Sequence, residues 1–89
     1  MDKEKRILIY MTDGHDYIVH EPTDDLNARL HLALVKNLKH FNINPYDARA
    51  ITHAITNTNG CRADRVSEIN INLDNIVNIE FDGWDIKWL

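Results

Sequence analysis

Polar and apolar residues alternate most clearly in the last third of the chain. From residue 67 to residue 88 the period is two, with interruptions at Asp74-Asn75 and at Asp82-Gly83. A period of two is typical of a half-buried strand, and Asp-Gly between alternating segments is a strong hairpin signal. This region therefore predicts three antiparallel strands with an acidic exposed side, which carries Glu68, Asp74, Glu80 and Asp85.

The first part of the chain predicts a β-hairpin. Residues 7–11 are apolar on both sides of an extended chain, which favours an inner position in a sheet. Residues 13–16 have the composition of a turn, and residues 17–20 form the returning strand. One apolar set, Leu8, Tyr10 and Ile18, then points away from the side that is filled by Ile7, Ile9, Tyr17 and Val19.

Two helices are predicted between residues 23 and 60. Thr23 is a suitable N-cap, and apolar residues recur at helical spacing from Leu26 to Phe41. A second apolar strip runs along the same helix and consists of Ala28, Leu32 and Val35. The helix is therefore expected to be buried on more than one side. Asn44-Pro45, with Asp47 three residues after the asparagine, is typical of the start of a second helix, which would end within residues 57–60.

These elements give the order β-β-α-α-β-β-β. Tight turns pair consecutive strands antiparallel, and segregated helices and strands are typical of the α+β class. The prediction is one antiparallel sheet of about five strands with a helical hairpin packed on one face. The 89 residues suit a single α+β domain covering residues 1–89, and self-association often stabilises a domain of this size.

Charge and composition narrow the classes of function. The formal net charge is −4, with −2 on residues 1–22, +1 on residues 23–60 and −3 on residues 61–89. This distribution argues against general binding to nucleic acids or to anionic membranes, since both need a basic surface. The single cysteine, Cys61, allows no internal disulfide, and the apolar run near the start is too short for a signal or membrane segment. We therefore expect a cytoplasmic protein.

No residue pattern in the sequence indicates catalysis. Asp13, His15 and Asp16 have the composition of a polar turn, and a metal site there would need a further ligand from elsewhere in the fold. Nothing marks Cys61 as an activated nucleophile, and the single serine, Ser67, has no elbow motif around it. The prediction is a protein that is not an enzyme and that holds no metal or cofactor.

The sequence favours a small acidic protein-interaction module. Such a module would cover a basic surface of a larger protein as an inhibitor or regulator. Abundant Asn and Ile indicate an AT-rich coding sequence, which suggests a bacterial phage or mobile element as its source. Tryptophan is enriched at binding hot spots, although both tryptophans would also serve to close the core. The expected docking residues are Glu68, Glu80, Asp82, Trp84, Asp85 and Trp88.

Two other interactions are predicted as alternatives. A homodimer would form through an exposed sheet edge or through the apolar set Leu8, Tyr10 and Ile18. A nucleic-acid-binding transcriptional regulator would instead use the outward side of the second helix, which carries Arg49, Thr52, His53 and Thr56.

Overall fold

The computed structural model describes residues 4–57 and 60–83. Within these ranges the chain forms seven strands, one α-helix and a short 3-10 turn, so the predicted α+β class is confirmed. The elements are β1 (Arg6–Met11), β2 (His15–Pro22), α1 (Asp24–Val35), β3 (His40–Ile43), β4 (Ala48–Asn57), β5 (Gly60–Val66), β6 (Ile69–Asn72), the 3-10 turn Leu73–Asn75, and β7 (Ile76–Asp82).

Five of the strands form one antiparallel sheet in the order β5-β4-β2-β1-β7. The apolar strand β1 lies inside this sheet, between β2 and β7, as its sequence predicts. It pairs with β2 in the predicted hairpin, with Leu8 opposite Ile18. The remaining two strands, β3 and β6, pair with each other in a separate ribbon.

The core lies between one face of the five-stranded sheet and a layer made of α1 and the ribbon. We call this face of the sheet the inner face and the opposite one the outer face. Full burial of one large aliphatic side chain contributes about 1.5–3 kcal/mol. The buried apolar residues come from all three parts: Ile7, Ile9, Val19 and Ile51 from the sheet, Leu26, Leu30 and Ala33 from α1, and Phe41, Ile43, Ile69 and Ile71 from the ribbon.

Helix α1 begins where the sequence predicts and ends earlier. The Thr23 hydroxyl accepts a hydrogen bond from the backbone N–H of Leu26 at 3.0 Å, which confirms the N-cap. The helix ends at Val35 because Asn37 adopts a left-handed conformation with φ of 56°. The N–H of Leu38 then bonds to the carbonyl of Ala33 at 3.0 Å, in the manner of a Schellman cap.

The predicted second helix is wrong, because its residues form strand β4. The residues expected to start it form an isolated turn, in which the Asn44 side chain accepts from the N–H of Tyr46 at 2.9 Å. The Asp47 carboxylate accepts from the N–H of Asn44 at 3.0 Å, as the third residue of a helix does in a capping box. The following residues include the β-branched Ile51 and Thr52, which favour a strand.

The observed arrangement therefore differs from the predicted helical hairpin. One helix packs on the inner face in the described residues, and the ribbon occupies the place expected for the second. The strand predicted from residue 67 is shorter, and it joins β3 instead of the sheet. The alternation of β7 places Ile79 and Phe81 opposite Ile9 and Ile7, but a register shift next to Met11 leaves Val77 exposed.

Candidate interaction surface

The outer face of the sheet is a surface that no described helix or ribbon covers, because α1 and β3–β6 both pack on the inner face. Leu8 and Ile18 lie opposite each other on β1 and β2, and Tyr10 follows two residues later on β1. Along their strands these three residues alternate with the buried Ile7, Ile9 and Val19, and all three are partly exposed. We call Leu8, Tyr10 and Ile18 the apolar patch; the structure gives it the predicted orientation, and its role in binding stays a prediction.

Two carboxylates flank the apolar patch at its Tyr10 end. Glu80 on β7 is the cross-strand neighbour of Leu8, and its carboxylate accepts a long hydrogen bond of 3.4 Å from the Tyr10 hydroxyl. Asp16 on β2 is the cross-strand neighbour of Tyr10. Partial burial raises the pKa of Tyr10, and the negative charges of Glu80 and Asp16 raise it further. Two carboxylates therefore act on the Tyr10 hydroxyl at this end of the patch, and the positive charge of Arg6 opposes their effect on its pKa.

Asp82 lies on the same face but is engaged by an arginine. The Arg6 guanidinium donates two hydrogen bonds to one oxygen of Asp82, across the β1–β7 pair. This bond and the charge of Asp82 raise the pKa of Arg6, as an ion-pair partner does. Because its charge is neutralised within the fold, Asp82 contributes to holding the edge strand β7 more than to an acidic surface.

The other predicted docking residues do not join this face. Glu68 precedes β6, and its carboxylate accepts a hydrogen bond of 2.7 Å from Asn42 on β3. The neighbours of Asn42 in sequence, Phe41 and Ile43, point into the core, so Glu68 lies on the outward side of the ribbon, across the core from Glu80. Trp84, Asp85 and Trp88 lie outside the described residues.

The four residues predicted to recognise nucleic acid all lie on strand β4: Arg49, Thr52, His53 and Thr56. The Arg49 guanidinium bonds to the carboxylates of Glu4 at 2.8 Å and of Glu21 at 3.3 Å, and these contacts raise the pKa of Arg49. Thr52 and His53 are consecutive strand residues and point to opposite faces of the sheet. Because these residues belong to a strand, they do not form the exposed side of a recognition helix.

Histidine side chains meet on the inner face of the sheet, beyond the main core. His15 Nδ1 and His53 Nε2 are 2.7 Å apart, and the ring of Tyr17 stacks on His53 with centroids 4.9 Å apart. The Asp13 carboxylate accepts from the backbone N–H of His15 at 3.1 Å, which is the hydrogen bond of a polar turn. Two imidazole nitrogens could contact a cation, but residues 4–57 and 60–83 contain no group of three or more candidate metal ligands.

Helix α1 carries a second apolar surface. Leu32 is 53% exposed and Val35 is 79% exposed, and Leu38 beyond the helix is also exposed. The prediction that this helix is buried on more than one side is therefore wrong within the described part of the chain. This strip lies on the layer that covers the inner face, on the opposite side of the molecule from the outer face.

An open cleft of about 510 Å³ lies where β4 begins and β5 ends. Its walls are mostly apolar, and two arginines, Arg49 and Arg65, line it. Because Arg49 is already paired with two carboxylates, the cleft offers one guanidinium without an ion pair in the described structure. This is a weak basis for an anion site.

Comparison with known proteins gives no family for this chain. No family model matches it, and no curated protein matches it significantly. Within the described ranges, no helix is long and apolar enough to cross a membrane.

Asp16 is the residue of this surface that the sequence did not reveal. Sequence analysis assigned Asp16 to a turn, whereas the structure places it on β2 beside Tyr10. The signal that would have found it is the register of the β1–β2 hairpin. Once Leu8 is paired with Ile18, the residue opposite Tyr10 must be Asp16.

Proposed function

We propose that this chain is a non-enzymatic protein-interaction module that docks on a basic surface of a larger protein through the outer face of its sheet. The observation that carries the proposal is the contact between the apolar patch and Glu80, on a face that the described helix and ribbon leave open. Apolar contact would supply affinity, and the carboxylates would orient the partner and speed its approach. A phage or mobile-element source and a cytoplasmic location remain predictions from the sequence.

The acidity available to a partner is concentrated beside Tyr10. Within the described residues Asp16 has no ion-pair partner, and Glu80 contacts the Tyr10 hydroxyl without a cation. Asp82, in contrast, is paired with Arg6. A lysine or arginine of the partner would therefore find its counter-charges at Asp16 and Glu80.

The size of the face indicates how strong the docking would be. The five strands are six to ten residues long, and seven to eight on average. Spaced about 4.8 Å apart with about 3.3 Å per residue, they give a face of roughly 24 by 25 Å, or roughly 600 Å². A stable interface of standard size buries about 800 Å² on each partner. One copy of this face is therefore suited to a transient complex, whose affinity depends strongly on a few side chains.

Matched variants on the two sides of the molecule test the proposal. Ile18→Ser and Glu80→Lys alter the outer face, whereas Leu32→Ser and Glu68→Lys make the same kinds of change on α1 and on the ribbon. All four variants are first checked for folding by circular dichroism. Quantitative affinity capture from an extract of the source cells then compares them with the wild-type protein at low and moderate salt.

We expect a protein that binds the wild type, Leu32→Ser and Glu68→Lys equally. It should bind Ile18→Ser about tenfold less, because a buried aliphatic contact is lost, and it should also bind Glu80→Lys less, because the new positive charge repels a basic surface. Its capture should also weaken with salt, since the attraction is between exposed charges. Equal loss in all four variants, no effect of the outer-face changes, or no protein bound specifically by the wild type would each refute the proposal.

A further inference from the structure

Among residues 4–57 and 60–83, strand β5 forms one edge of the five-stranded sheet and pairs only with β4. All of its residues are exposed except Val66, which is half-buried. An edge strand presents unpaired backbone N–H and C=O groups, which form a template for another strand. Proteins often protect such edges with charged residues, so the placement of the charges on β5 decides what can pair there.

The charges of β5 are arranged symmetrically about its midpoint. Ala63 is the fourth of the seven residues from Gly60 to Val66. Arg62 precedes it and Asp64 follows it, and the two side chains are already bonded, Nε to Oδ2, at 2.9 Å. An antiparallel copy of this strand, related by a two-fold axis at Ala63, would therefore place Arg62 opposite Asp64 twice.

We propose that β5 pairs antiparallel with β5 of a second copy of this chain, with the two-fold axis at Ala63, so that two sheets join into one of ten strands. In this register all seven residues are paired, and two opposite-charge cross-strand pairs form. An axis at Arg62 would place two arginines opposite each other, and an axis at Asp64 would place two aspartates opposite each other. The same charges that discourage foreign strands thus select one register of self-pairing.

The other edge of the sheet is less suited to self-pairing. The midpoint of β7 is Ile79, and a two-fold axis there would place Asn78 opposite Glu80, without an opposite-charge pair. Phe81 also stacks on His31 of α1, with ring centroids 5.0 Å apart, so the helix already occupies part of this edge. The proposal therefore concerns β5 alone, and it does not depend on the docking function of the outer face.

Charge reversal and charge exchange on β5 test the pairing. Arg62→Asp would place an aspartate opposite Asp64 of the second copy, and Asp64→Arg would place an arginine opposite Arg62. The double variant Arg62→Asp/Asp64→Arg exchanges the charges and restores both opposite-charge pairs. Arg65→Asp is the matched control, because it changes the net charge as Arg62→Asp does but would face Cys61 of the second copy.

Sedimentation equilibrium over a range of concentrations measures the dimer dissociation constant of each variant. We expect a dimer for the wild type, a dissociation constant about tenfold or more higher for each single reversal, and recovery of the wild-type value in the double variant. Arg65→Asp should change dissociation much less than Arg62→Asp. A monomer at high micromolar concentration, or a double variant no tighter than the single reversals, would overturn the proposal.

Disulfide trapping tests the register directly. Facing residues of an antiparallel pair have Cα atoms about 4.5–5.5 Å apart, within the range that a disulfide spans. In a Cys61→Ser background, Ala63→Cys should therefore give a covalent dimer on mild oxidation. Val77→Cys in the same background, an exposed position on the opposite edge, is the control and should not. Equal cross-linking of the two variants, or none at Ala63→Cys, would contradict the proposed register.

Discussion

The turn between β3 and β4 is held to helix α1 by a buried carboxylate, and its removal gives a sharp test of the fold. Asp47 is the one buried charged residue among those described. One of its oxygens accepts from the Arg29 guanidinium, and the other accepts from the N–H of Asn44 at 3.0 Å. Arg29 also bonds to Asp25 at 2.8 Å, but that carboxylate is exposed. Asp47→Asn and Asp25→Asn therefore each remove one carboxylate partner of Arg29, the first from a buried position and the second from an exposed one.

The expected costs differ because of burial. In Asp47→Asn a single amide oxygen remains for two donors, and the new NH₂ group faces one of them. A hydrogen bond to a charged group contributes about 1.5–3 kcal/mol, and partial exposure of Arg29 reduces its share. We expect Asp47→Asn to lower the free energy of unfolding by about 2 kcal/mol. Asp25→Asn removes an exposed pair four residues apart on a helix and should cost less than about 0.5 kcal/mol.

Urea unfolding at neutral pH, followed by circular dichroism, measures both changes. A loss of about 2 kcal/mol corresponds to a decrease in Tm of about 8–16 °C for a domain of this size. In an Arg29→Met background the cost of Asp47→Asn should fall, because one of the two donors is gone. Equal costs for the two variants, or a cost below about 0.5 kcal/mol for Asp47→Asn, would refute the assignment of Asp47 as the anchor of this turn.

Two further predictions concern the outer face and the end of β7. Because partial burial and Glu80 both raise the pKa of Tyr10, the folded state favours the neutral phenol, and stability should fall as pH rises above the ordinary value of 10.0. Glu80→Gln should bring the pKa of Tyr10, followed by NMR of the ring carbon, down toward that value; an unchanged pKa would contradict the contact. A Cβ at Gly83 would lie 2.4 Å from the backbone oxygen of Glu4, so Gly83→Ala should destabilise the protein by more than about 1 kcal/mol in urea unfolding. Gly60→Ala, also at positive φ but with nothing within 4 Å of the new carbon, should cost less, and the reverse order would refute the close approach.

Signals that depend on neighbours in sequence predicted the correct elements. The Thr23 cap, the apolar run of β1 and the alternation of Ile79 and Phe81 all appear in the structure. The signature at Asn44 was also locally correct, since its hydrogen bonds form. What failed was the inference that a helix continues from it, because a capped turn and a helix start share the same first hydrogen bonds.

Pairing between distant segments was beyond the sequence patterns. Ile51 and Ile55 are four residues apart, a spacing that places them on the same side of a helix and also on the same face of a strand. Periodicity alone therefore does not distinguish the two structures. The pairing of β4 with β2 selects the strand, and that pairing is a long-range property. For the same reason Glu68 and Glu80, which share one alternating pattern in sequence, lie in different layers.

The distribution of ion pairs explains why net charge is a poor guide to this surface. Most arginines of the described structure have carboxylate partners, and these pairs cancel much of the formal charge: Arg6–Asp82, Arg29–Asp25, Arg29–Asp47, Arg49–Glu4, Arg49–Glu21 and Arg62–Asp64. Strand register brings Arg6 to Asp82, helix spacing brings Arg29 to Asp25, and packing of the turn after β3 on helix α1 brings Arg29 to Asp47. The carboxylates that a partner would meet are those that register leaves without a cation. Asp16 and Glu80 are such groups on the outer face, and both lie close to Tyr10, so we expect these two carboxylates to contribute most of the salt dependence of docking through this face.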